Sequence, residues 1–237
     1  MTWRNDNKIW FCPAYIHSCC VELVKEKGID QLKKEGKYKK LIESYDLSLT
    51  ALAIYKLNKK THDLPFIQIP KCDPPDGYIG QESRERLGGF DISTVELTRY
   101  DGAGGQTLLE QLQSSDKINP KYNKYGREYV LLIKVEAGVE PNYKKVNRFL
   151  VEKQIPFAVW SLQVVQTHPD TTVKLITLNP KIQVVHINVG EIAFLYKERK
   201  MPNVLEVRRT GAKGRVRKEI NSQLDKKYLD KNFGWLL

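Results

Sequence analysis

The sequence predicts an α/β fold with a mixed central β-sheet flanked by helices, and three observations point there. Residues 129–133 read YVLLI, a continuous apolar run, the composition of a strand covered on both faces and therefore central in a mixed or parallel sheet. An amphipathic helix follows at 142–153, with Val146, Phe149 and Leu150 inward and Lys144, Lys145 and Arg148 elsewhere, and then a second buried strand at 157–165. That strand–helix–strand order implies a crossover between parallel neighbours. Upstream, Leu41, Ile42, Tyr45, Leu49, Leu52 and Ala53 recur at three- and four-residue steps, which predicts a helix over 38–59 with a core-facing stripe.

The chain has 237 residues, 41% of them apolar and 28% charged, and can bury an ordinary core without staples. No run approaches the ~18 apolar residues of a membrane span. No basic segment followed by a continuous apolar stretch opens the chain, so the expectations are no signal peptide, no membrane partner and a cytoplasmic location. Lys and Arg number 39 against 28 Asp and Glu, a net charge of +11. Such a charge favours polyanions by counterion release and steering, without by itself singling out nucleic acid over an anionic membrane surface. Cys12, Cys19 and Cys20 surround His17 but form no C-x-x-C pair, so ordinary thiols are expected there before a zinc site.

The remaining elements follow in order. Residues 1–20 are aromatic-rich and read as irregular, and 21–34 as a helix interrupted at Gly28. Glu43 and Asp46 lie beside the stripe of the 38–59 helix and are expected on a solvated flank. Phe66, Ile67 and Ile69 form a short strand stopped by Pro70. The turn-rich KCDPPDGYIGQ (71–81) runs into a strand at 77–79, and FDISTVELTRY (90–100) forms the next. Side chains alternate along a strand, so Glu96 and Thr98 share one face of it and Val95 and Leu97 the other. A carboxylate amid an otherwise buried strand is costly unless it is paired. A metal ion shared with Asp76 would pair it, and so would a buried salt bridge.

DGAGG (101–105) lacks the Lys-Ser/Thr end of a nucleotide-binding loop and the dinucleotide spacing. It reads as a flexible entry to a helix at 106–113. In the loop 117–127, Tyr122 and Tyr125 are interleaved with Lys121, Lys124 and Arg127, a mixture suited to phosphates and unstacked bases. Strands are expected at 173–178, 182–189 and 192–196. The simplest parse is one α/β body over 1–200 and a basic extension over 201–237. The extension carries Arg208, Arg209, Lys213, Arg215 and Arg217, then an amphipathic helix with Val216, Ile220, Leu224 and Tyr228.

The order from residue 38 to 165 is helix, strand entered through Pro75-Asp76, strand with Glu96, helix, buried strand, helix, strand. It resembles the core of the PD-(D/E)XK superfamily, the restriction-endonuclease-like nucleases. The resemblance implies a restriction-endonuclease-like core and a Mg2+ or Mn2+ cofactor serving phosphodiester hydrolysis, in DNA more than RNA. It also implies that Asp76 and Glu96 are metal ligands, that the Leu97 carbonyl is a third, and that Glu43 matches the acidic residue many members carry on the preceding helix. Many members act as homodimers. The departure is Thr98, which stands where the family has a lysine and has neither its reach nor its charge. Arg99 points to the other face, and Lys134 on the next strand is the candidate to supply an ammonium. Two alternatives stand beside the nuclease: an inactive nucleic-acid-binding protein of the same fold, and a structural or assembly protein with a basic tail.

Overall fold

A computed structural model describes residues 9–34, 39–57, 64–70, 75–82, 90–118, 128–166, 171–210 and 213–216. Ten strands form one mixed sheet: β1 (Ile9–Phe11), β2 (Phe66–Gln68), β3 (Gly77–Glu82), β4 (Phe90–Tyr100), β5 (Tyr129–Val135), β6 (Ala158–Gln166), β7 (Thr172–Asn179), β8 (Gln183–Asn188), β9 (Val204–Thr210) and β10 (Lys213–Val216). Their spatial order is β10-β9-β1-β2-β3-β4-β5-β6-β7-β8. Among the described residues only β4–β5 and β5–β6 are parallel. Each parallel step is bridged by a helix, α4 (Leu108–Ser114) and then α5 (Tyr143–Glu152), because parallel neighbours need a crossover. The α/β class with a large mixed central sheet is therefore observed.

The two faces of the sheet bury separate cores. On one lie α1 (Pro13–Lys27), α3 (Lys39–Leu57) and α6 (Val189–Glu198), with α2 (Ile29–Lys34) following α1. There Ile16, Leu47, Leu52 and Ile192 pack with Val95, Val130, Leu132 and Leu162 of the strands. On the other, Leu108 and Leu112 of α4 and Val146 and Leu150 of α5 cover Tyr100, Leu131, Ile133 and Ile176. Strand β5 is buried on both sides, as its apolar run requires.

Four expectations change. Residues 9–27 are regular, forming β1 and then α1, whose first position is taken by Pro13, a residue pre-set for helix entry. Residues 192–196 are helical: Asn188 Oδ1 accepts from the Gly190 and Glu191 N–H groups and starts α6, whose buried Val189, Ile192 and Tyr196 follow helical spacing. Residues 204–210 and 213–216 are β9 and β10, strands of the same sheet, with Val216 inside β10. The helix expected beyond Val216 lies outside the described residues. Finally, Asp46 is not on a solvated flank. It is 2% exposed, because α3 is enclosed by the sheet on one side and by α1 and α6 on the others. Polar residues in that enclosed helix turn their hydroxyls onto its own backbone, Ser48 to the Tyr45 carbonyl and Thr50 to the Asp46 carbonyl.

Helix α3 crosses β3 at Gly77, where a Cβ would collide with Leu47 Cδ2. Leu47 is buried, so its isobutyl group would have to shift within the core to make room. Gly77→Ala is therefore expected to cost about 1–3 kcal/mol through overpacking. Urea denaturation would measure this, and Leu47→Val should recover part of the loss in the double variant. A Gly77→Ala protein as stable as the parent would show that the close crossing has slack.

Candidate functional site

The site forms where β3 stops and β4 continues. The last registered pair of that hairpin is Gly77 with Val95. Extending the register one step sets Asp76 opposite Glu96, and since cross-strand partners share a face, both belong to the α4 side of the sheet. Pro75 has no N–H with which to extend the ladder, and the peptide groups of Leu97 find side-chain partners instead. Asp76 Oδ2 accepts from the Leu97 N–H at 2.6 Å. The Leu97 carbonyl accepts from Lys117 Nζ, also at 2.6 Å. The same ammonium lies 3.6 Å from Glu96 Oε2. Glu96 itself is 6% exposed, so the buried carboxylate has a cationic partner, as its desolvation demands.

Lys117 reaches this point through the path of α4. Thr107 and Glu110 form a capping box that fixes the start of the helix. Gln111 Nε2 donates to the Arg99 carbonyl at 2.8 Å and ties the helix to the end of β4. After α4 the chain turns through a short 3-10 segment, Asp116–Ile118. Ile118 is buried in the core beneath it, and the Lys117 N–H donates to Ser115 Oγ at 3.2 Å. The backbone of Lys117 is thus fixed while its side chain remains 31% exposed.

The sequence-predicted residues divide between the two faces. Thr98 lies two positions beyond Glu96 on the same face, half-buried and in register with Ile133. Lys134 does not join them. It is registered with Arg99, the parity of Val95 and Leu97, and so projects to the α3 side. There it forms a salt bridge with Asp46. Burial pushes the Asp46 carboxyl above its ordinary range, with Lys134 and then Arg99 pulling the other way. Glu43 is half-buried on α3, the helix that covers the face opposite Glu96. Lys121, Lys124, Arg127 and Arg217 lie outside the described residues. Arg208 and Arg209 sit on β9 opposite Arg215 and Gly214 of β10, and Lys213 opens β10. That strand also comes against β4, which brings a basic hairpin to the strand carrying Glu96.

Sequence reasoning missed Lys117. The available signal was parity: a helix that follows β4 and covers the Glu96 face must return its C-terminal turn to that face before β5 begins. At the thiols, Cys12 and Cys20 are buried; burial pushes the Cys12 thiol up to about 11 and the Cys20 thiol above its usual value. His17 stacks on Tyr45 with ring centroids 5.4 Å apart. These are packed groups, not nucleophiles at neutral pH.

No cluster of three or more His, Cys, Asp or Glu side chains suited to a metal occurs among the described residues. The donor set at Asp76 and Glu96 is of another kind: two carboxylates and one main-chain carbonyl, all hard oxygens, grouped about the Leu97 peptide, whose N–H donates to Asp76 and whose carbonyl shares the half-open Lys117 with Glu96. Mg2+ and Mn2+ are held in this way, by one or two carboxylates with water and substrate oxygens completing the shell. The residues present fit such an ion. Comparison of the chain with protein-family models, with curated proteins and with solved structures finds no match to any of them.

Proposed function

We propose that the chain is a Mg2+- or Mn2+-dependent nuclease that hydrolyses phosphodiester bonds, in DNA more than RNA, on a core similar to that of the PD-(D/E)XK enzymes. The observation that carries this reading is that Asp76, Glu96 and Lys117 are tied together through the Leu97 peptide group, Asp76 at its N–H, and Lys117 at its carbonyl and beside Glu96. An acid before one strand, an acid on the next and a lysine beside them make up the constellation implied by the resemblance. Here the lysine comes from the turn after α4, which answers the absence of a lysine at position 98.

Glu96, the Leu97 carbonyl and Asp76 would hold the ion, which supplies a nucleophilic water and neutralises charge on the phosphate. Asp76 has a second duty, since its carboxylate also accepts from the Leu97 N–H and so aims the adjacent carbonyl. Lys117 places positive charge where phosphate oxygens gain negative charge. Thr98 lines the same face, where its hydroxyl serves as a neutral hydrogen-bonding group. The β9–β10 segments carry Arg208, Arg209, Lys213 and Arg215, a basic composition suited to phosphate-backbone binding without sequence preference. A second copy of the chain completing a homodimer is part of the same proposal.

The test is cleavage of end-labelled single- and double-stranded DNA by the purified protein with Mg2+, with Mn2+ and with EDTA. Cutting is expected with either ion and none with the chelator. If the protein never cuts but binds DNA with an affinity that falls steeply with salt, it is a binding module of the same fold. If it neither cuts nor binds, an assembly role takes over.

A further inference from the structure

We infer that Lys117 is a resident counter-cation occupying the metal position, so that entry of the divalent ion and departure of the lysine are a single coupled event. The inference deepens the metal-dependent reading of the site and rests on it. Its basis is the overlap between two sets of partners. Lys117 Nζ takes the Leu97 carbonyl at 2.6 Å and stands 3.6 Å from Glu96 Oε2. These are the same oxygens that would coordinate the ion. A Mg2+ ion sits at about 2.1 Å from each of its oxygen ligands. At that distance from the Leu97 carbonyl, which lies 2.6 Å from Nζ, its centre would stand no farther than about 4.7 Å from the ammonium. A protonated amine has no lone pair to offer a metal, and like charges at such a spacing repel strongly in a partly desolvated site. The lysine and the ion therefore compete for the same oxygens.

The anatomy of the segment suits such an exchange. The main chain of Lys117 is fixed by the Ser115 hydroxyl and by Ile118 in the core, so displacement does not require the turn to move. The side chain is 31% exposed, and its four-carbon stem turns easily into solvent. A displaced ammonium needs an anion, and the phosphate of a bound nucleic acid lies beside the metal in any hydrolytic complex. Nucleic acid and metal would then favour each other's binding through Lys117, by the reciprocity of linked equilibria. In the metal-free protein the lysine keeps the Glu96 carboxylate paired.

The test measures binding of Mn2+ alone, read from the loss of the free-ion electron paramagnetic resonance signal, with no substrate present. Lys117→Met is expected to bind Mn2+ about tenfold more tightly than the parent, a coupling of ordinary size for two competing ligands. Lys144→Met removes the same charge from an exposed position on α5 and should stay within about twofold of the parent, as general electrostatics at that range is screened. Circular dichroism would verify folding, and Lys117→Gln serves equally if the methionine variant does not fold. Equal or weaker Mn2+ binding by the Lys117 variants, with the parent still binding, would overturn the exchange and leave the metal site standing. A matching gain in Lys144→Met would also overturn it, as a bulk charge effect. No Mn2+ binding by the parent or either Lys117 variant at millimolar ion would remove the exchange and the metal-dependent reading together.

Discussion

Glu96→Gln is expected to lower metal-dependent DNA cleavage by about three orders of magnitude, near ~4 kcal/mol of transition-state stabilisation, the scale of losing a ligand to a catalytic ion. Glutamine keeps the shape and an acceptor oxygen but loses the charge that makes the site attractive to a divalent cation. Asp76→Asn should fall by a similar factor. Asparagine is the better probe at this position, because the Leu97 N–H depends on the Asp76 side chain for its acceptor. An alanine would leave that N–H without one and add about 1–3 kcal/mol of destabilisation unrelated to catalysis. Single-turnover cleavage of labelled DNA would give the rates, and filter binding in EDTA is expected to show affinity within about threefold of the parent, since the proposed phosphate contacts involve other residues. Retention of full activity by either variant would remove that carboxylate from the mechanism.

The largest effect on stability is expected at Lys134. Its ammonium pairs with Asp46, a carboxylate that is 2% exposed. Lys134→Met leaves that carboxylate buried without its principal cation, a change that costs about 3–5 kcal/mol in comparable pairs. Adding Asp46→Leu should return most of the loss, since apolar packing of similar volume often matches or exceeds a buried ion pair. Urea denaturation of the two single variants and the double variant closes the cycle; a loss below about 1 kcal/mol for Lys134→Met would show that Asp46 does not depend on it.

The pH dependence has a definite sign. Burial raises the folded-state value of the Asp46 carboxyl above its unfolded one, so the folded protein holds this proton more tightly than the unfolded chain. The stabilisation that follows is complete below the unfolded value and is lost as pH rises through the raised folded value. Removing Lys134 raises the folded value further. The deficit of the variant is therefore smallest in acid and grows toward neutral pH.

These residues also show where local pattern suffices and where it does not. Alternation within residues 90–100 is enough to put Glu96 and Thr98 on one face and Arg99 on the other, and the proline-rich entry to β3 marks where Asp76 leaves the ladder. Parity within one strand says nothing about parity in the next. Placing Lys134 needs the β4–β5 register, which pairs it with Arg99 and sends it to the far face. Periodicity along α3 describes a one-sided stripe, whereas α1 and α6 cover its other sides and bury Asp46, a tertiary effect that no helical wheel contains. Lys117 is legible only after α4 has been assigned to a face. The α6 segment turns on one cap: Asn188 commits apolar residues with equal strand character to a helix.

Strand β1 lies between β2 and β9, with Ile9 paired to Glu206 and Phe11 to both Ile67 and Val204. One of the first strands in the chain thus acquires its second neighbour only from one of the last. During synthesis Trp10 and Phe11, both fully enclosed in the finished protein, wait beside an open edge until the ribosome has delivered β9. Long-range pairing of this kind is slow to close and leaves an adhesive margin while it is open. The segments that carry Asp76, Glu96 and Lys117 all precede β9 in the chain and make their mutual contacts without it. The Glu96 end of the sheet can therefore be assembled early, with the seam between β1 and β9 left to close afterwards.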